Sequence, residues 1–147
     1  MGLFDGLLNA MEGNTRLTPQ ECFAGILVGA TFCDGHFAED EVKGLVAALQ
    51  RMKLFQRLSE KQFDATLDKV VGIAKRSGVP ALVERSLENL PAELRDTAFA
   101  NACNIVLADG TAEQAERDYI NGLQTKLKLD PKTCQTIVQV MVIKNMG

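Results

Sequence analysis

The chain has no tryptophan, one tyrosine and one histidine in 147 residues. So few aromatic rings remove the stacking platforms on which single-stranded nucleic acids are held. With 16 Lys and Arg against 19 Asp and Glu the formal net charge is −3, and no basic stripe stands out. Nucleic-acid binding is therefore not expected. No apolar run approaches the roughly 20 residues of a membrane span, so direct membrane insertion is not expected either. The four cysteines (Cys22, Cys33, Cys103, Cys134) are isolated, with no C-x-x-C pair and no zinc spacing to His36. The start, Met1 to Gly6, lacks a charged n-region and a signal-like apolar run. Isolated thiols without a secretion signal point to a reduced, cytoplasmic protein. One histidine, no nucleophile motif and no Gly-rich phosphate loop leave no usual way to assemble a hydrolytic site, so the expectation is a non-enzymatic protein.

What is present is a globular composition, 46% hydrophobic and 24% charged, at a length suited to one domain with its own core. Helix punctuation is frequent. Thr18-Pro19-Gln20-Glu21 offers an N-cap, a proline at the first helical position and a glutamate that closes a capping box. Ser59 with Gln62, and Thr111 with Gln114, read the same way. Val79-Pro80, Leu90-Pro91 and Asp130-Pro131 open further helices, and Gly35, Gly78 and Gly110 supply stops. Between these marks apolar residues keep helical spacing, as at Val42, Leu45, Val46, Leu49 and Met52. Helices are expected near 3–12, 18–33, 38–53, 60–76, 80–89, 91–108, 112–127 and 131–145. The fold class is all-α: a single-domain bundle of about seven to eight helices. Residues 1–16 form a short helix, with Leu3, Phe4, Leu7, Leu8 and Met11 on one face, and a linker; residues 17–147 form the domain.

One phrase occurs twice. Phe32-Cys33-Asp34-Gly35 leading to Glu41 returns as Leu107-Ala108-Asp109-Gly110 leading to Glu116, each position 75 residues after its counterpart (34 to 109, 41 to 116). Each copy joins a long apolar helix to a second one through an Asp-Gly turn, which makes two related helical hairpins, 18–53 and 91–127, with the 60–89 pair between them. Glu41 shares a stripe with Leu45, Ala48 and Met52, and Glu116 with Ile120, Leu123 and Leu127. Both glutamates are expected to start the buried face and to lean back toward the turn that holds Asp34 or Asp109.

Carboxylates converging in such a corner repel unless something compensates. Helix N-termini can accept them, at roughly 0.3–1 kcal/mol each. One acid can stay protonated. A hard divalent cation, calcium, magnesium or similar, can bridge them. On the metal reading Asp34, Glu41, Asp109 and Glu116 are the ligands, with His36, Glu39, Asp40 and Glu113 as additional candidates. The richer supply at the first turn favours that site over the second. On the alternative reading the acids only cap helices. A partner then docks elsewhere, best on Arg51-Met52-Lys53-Leu54-Phe55-Gln56-Arg57, where three cations accompany apolar residues.

The segments Leu17 to Glu21, Cys33 to Glu41, and Leu107 to Gly110 with Glu116 resemble the TerB-like (tellurite-resistance) family, over most of the chain from about residue 17. The resemblance implies a bundle built from two related hairpins, a role in bacterial stress and tellurite resistance, and metal binding through Asp34, Glu41, Asp109 and Glu116. It also implies protein partners, among them membrane-embedded proteins of the resistance system. Two functions follow as expectations: a metal-responsive stress-resistance domain, or a metal-free protein-interaction module.

Overall fold

A computed structural model describes residues 16–35 and 38–147 of the chain. The expected short helix at 3–12 and His36 lie outside the described residues. Among the described residues there are eight α-helices and no strand: α1 (Pro19–Phe32), α2 (Glu39–Arg51), α3 (Lys53–Gln56), α4 (Glu60–Ser77), α5 (Val79–Asn89), α6 (Arg95–Val106), α7 (Gln114–Lys126) and α8 (Pro131–Lys144). A 3₁₀ turn at Ala92–Leu94 precedes α6.

Helix α1 is the axis of the bundle. Every residue from Glu21 to Ala30 is buried, because the helix is apolar on all sides and is therefore covered on all sides. It packs most extensively on α5 and then on α6, and it also touches α2, α4 and α7. Two glycines let α5 and α7 come close. A Cβ at Gly25 would collide with the Ser86 hydroxyl, and one at Gly29 would meet Tyr119 and the Val83 side chain. Among the described residues one acid is buried in this packing, Glu21, 7% exposed. It is satisfied twice: it accepts from the Thr18 backbone N–H at 2.8 Å and pairs with Lys69 of α4 at 3.1 Å.

The capping signals act where the residues indicated. Thr18 and Ser59 each form a complete capping box, with Glu21 and Gln62, and Asp130 accepts from the Thr133 N–H at 3.0 Å. Gly35 and Gly110 hold φ of 84° and 85°, a left-handed conformation that only glycine adopts at little cost.

Four expectations are corrected. The helix expected over 38–53 stops at Arg51; Met52 is extended and a new short helix starts at Lys53. A continuous helix would place Gln56 on the stripe of Leu45, Leu49 and Met52. The break instead sends Phe55 into the core, edge-on to both Phe23 and Phe63 at centroid distances of 6.1 and 5.9 Å. Val42 is exposed, since only a narrow stripe of α2, Leu45 and Leu49, reaches the core. Leu90-Pro91 opens the 3₁₀ turn, and the α-helix proper waits until Arg95. Helix α7 starts after Glu113, so Thr111 is not its cap.

Candidate functional site

The two Asp-Gly turns have different surroundings. At the second, Asp109 accepts from the Thr111 N–H at 3.2 Å, closing an Asx turn, and Glu116 accepts from the Glu113 N–H at 3.0 Å. Both acids are thus used on backbone N–H groups of the segment that leads into α7. Glu113 is exposed at the N-cap position.

The first turn lies against the second hairpin. Phe32, Cys33 and Gly35 share a cavity of about 500 Å³ with Val79, Pro80 and Val83 of α5 and with Ala115, Asp118, Tyr119 and Lys126 of α7. The Tyr119 hydroxyl donates to the Ile26 carbonyl at 2.6 Å and fixes α7 across α1. Burial pushes the Cys33 thiol up to about 11, and the negative fields of Glu116 and Asp34 push the same way. An acid of the second copy therefore acts on the turn of the first. Burial also raises Tyr119 well above its ordinary value, assisted by Cys33.

Asp34 is exposed at the turn, and Glu39, Asp40 and Glu41 are exposed on the first turn of α2. Glu41 was expected to start a buried face. It does not, because α2 touches the body through Leu45 and Leu49 and its first turn overhangs. Glu116 is half-buried, as its stripe of Ile120, Leu123 and Leu127 implies. Among the described residues no three of His, Cys, Asp and Glu converge as a metal-ligand group.

The thiols are poor nucleophiles. Burial raises Cys22 to about 11, with Glu21 adding to it, and Cys103 to about 12, with Cys134 adding to it. Burial raises Cys134 as well, helped by Asp96 and Asp130. A thiol at 11 is about one part in 10⁴ thiolate at pH 7.

The 51–57 stretch forms a wall. Met52, Lys53, Leu54 and Arg57 line a groove of about 400 Å³ whose other sides are Gln20 and Phe23 of α1, Leu94 of the 3₁₀ turn, and Thr97 and Asn101 of α6. Gln20 braces this wall by donating from its side-chain amide to the Leu54 carbonyl at 3.4 Å. Lys53 and Arg57 are exposed, and neither pairs with a carboxylate among the described residues. The sequence pointed to the stretch itself. It did not reveal the other walls, which come from Gln20 and Phe23 earlier in the chain and from Leu94, Thr97 and Asn101, 37 or more positions after Arg57.

Comparison with family models, with curated proteins and with solved structures finds no match.

Proposed function

We propose that the chain is a non-catalytic helical module of the tellurite-resistance (TerB-like) type, acting in a bacterial stress response by docking a protein partner. The observation that carries this reading is the groove beside Lys53 and Arg57: apolar inside, open to solvent, with two cations at its edge that pair with no carboxylate among the described residues. The capping geometry of Asp109 and Glu116 supports the same reading, since these acids serve the fold and need no ion to hold them. The raised thiols support a role other than nucleophilic catalysis. Cytoplasmic location belongs to this proposal through the isolated thiols, and partners that include membrane-embedded resistance proteins belong to it through the resemblance to that family.

A second reading keeps the cation that the resemblance implies, at the first Asp-Gly turn, where Asp34, Glu39, Asp40 and Glu41 are all exposed. There a divalent cation such as calcium or magnesium would be held by Asp34 and Glu41, with Glu39, Asp40 and His36 as further oxygen and nitrogen donors. Hard cations suit such carboxylates. The second turn fits a cation less well, because one oxygen each of Asp109 and Glu116 is already committed to a backbone N–H.

Thermal unfolding of chelator-stripped protein with calcium, magnesium, manganese or zinc separates the two. The docking module keeps its midpoint in every cation, and loss of a capping acid costs about 0.5–2 kcal/mol whether or not a cation is present. A saturable rise that disappears in Asp34→Ala and Glu41→Ala would establish the metal reading instead.

A further inference from the structure

We infer that the groove between α1, α3 and the start of α6 receives a short apolar segment of a partner protein that also carries carboxylates. The inference rests on the docking reading above and specifies the chemistry of what docks.

The interior of the groove selects for apolar groups. Its floor is Phe23, which is 1% exposed, and its sides are the half-buried Met52, Leu54 and Leu94. A volume of about 400 Å³ has room for more than one large side chain, and burial of such side chains supplies most of the affinity at sites of this kind. Gln20, Thr97 and Asn101 add amide and hydroxyl groups to the lining, which suits a ligand with a peptide backbone to satisfy.

The edge selects the charge. Two cations, Lys53 and Arg57, line the groove and no carboxylate of the described residues does, in a chain whose net charge is −3. Arg51, two residues before Lys53, is exposed as well. The acids next in sequence to its lining residues, Glu21, Glu93 and Asp96, do not line it, and Glu21 is paired with Lys69. A segment with Asp or Glu beside its apolar residues meets complementary potential, whereas a basic segment meets like charge.

The test is selection of a random phage-displayed peptide library on the immobilised full chain. Enriched peptides are then resynthesised and measured by fluorescence polarisation. The expected winners pair large apolar residues with an excess of Asp and Glu. Their affinity falls by at least about tenfold on K53E/R57E, weakens with salt, and is unchanged on K75E/K132E, which alters charge equally on α4 and α8. Both variants change only exposed side chains, and circular dichroism checks that they fold. Thr97→Trp, a neutral change at an exposed lining residue, fills the groove and reads its use apart from charge. Peptides without acidic bias that keep their affinity on K53E/R57E but lose it on Thr97→Trp overturn the inference and leave the docking reading standing. Absence of enrichment, or peptides indifferent to both K53E/R57E and Thr97→Trp, overturns both. A synthetic peptide of residues 1–15 is included as a competitor. If it displaces the winners at comparable affinity, the groove belongs to the chain's own acidic-apolar N-terminus and the assignment to a partner is overturned.

Discussion

The Tyr119 hydroxyl donates to the backbone carbonyl of Ile26 at 2.6 Å, joining residues 93 positions apart. Its ring lies over Gly29, where a Cβ would also be only 2.6 Å from Val83 Cγ2. One tyrosine therefore ties the second hairpin to the axis of the bundle, and one glycine makes room for it.

Removing the hydroxyl while keeping the ring should cost about 1 kcal/mol. Tyr119→Phe is expected to unfold at lower denaturant with an unchanged m-value, which a urea titration measures. Gly29→Ala should cost more, about 1–3 kcal/mol or above, because the side chains it meets are packed and cannot all retreat. A Tyr119→Phe variant that is as stable as the parent would show that this bond contributes nothing to holding the hairpins together.

The contact of α1 with α5 makes a second prediction. Ser86 is fully buried, and its hydroxyl donates to the Leu82 carbonyl at 2.8 Å. A Cβ on Gly25 would collide with that hydroxyl and sit 3.3 Å from Leu82 Cδ1. Gly25→Ala should lose about 1–3 kcal/mol. Ser86→Ala removes the obstructing oxygen, so the double variant should lose less than the sum of the two, with a coupling of at least about 0.5 kcal/mol. Simple additivity in chemical denaturation would mean that the helices separate rather than clash.

These contacts also mark where sequence reasoning reaches and where it stops. Capping at Thr18, Ser59 and Asp130 was legible because the donor, the acceptor and the helix start all lie within four residues. Gly25 and Gly29 look only like weak helix formers; their role appears once Ser86, Val83 and Tyr119 are brought beside them. The break at Met52 contains neither proline nor glycine, and its cause, the edge-on packing of Phe55 between Phe23 and Phe63, is tertiary. Thr111 carries the expected cap signal, but Asp109 draws the Thr111 N–H into its own turn and the helix starts only after Glu113. Of the candidate acids, the stripe argument placed Glu116 correctly and misplaced Glu41, since periodicity gives the direction of a face but not how far along the helix a neighbour extends.

Alkali should loosen the fold through its thiols. From an ordinary value of 9.0, Cys22 and Cys33 are raised to about 11 and Cys103 to about 12, with burial the leading cause in each. An unfolded chain releases these protons near pH 9 while the folded one retains them. Between pH 9 and 12 the unfolded state thus binds fewer protons, and stability falls as pH rises. The contribution is intact below pH 9. Denaturation midpoints at a series of pH values should decline across this window, and the decline should be shallower in Cys103→Ala. An equal slope in that variant would assign the alkaline loss to other groups.

The last prediction concerns the end of α7. Lys128 is the only described non-glycine residue with positive φ, at 55°. The chain needs that conformation to turn from α7 toward α8: the Lys128 N–H reaches the Thr125 carbonyl at 3.1 Å, and the Leu129 N–H reaches Gln124 at 3.2 Å. This is a left-handed helix terminus, the position that glycine fills most readily. An L-residue there carries a steric cost of about 1–2 kcal/mol, part of which glycine returns as extra freedom in the unfolded chain. The Lys128 side chain is exposed, so little packing is lost with it. Lys128→Gly should therefore stabilise the domain by about 0.5–1 kcal/mol, read as a higher unfolding midpoint, with Lys128→Asn intermediate. Lys128→Val, β-branched and intolerant of positive φ, should lower the midpoint. If glycine destabilised the protein, Lys128 would have to be making a favourable interaction that outweighs its strained backbone.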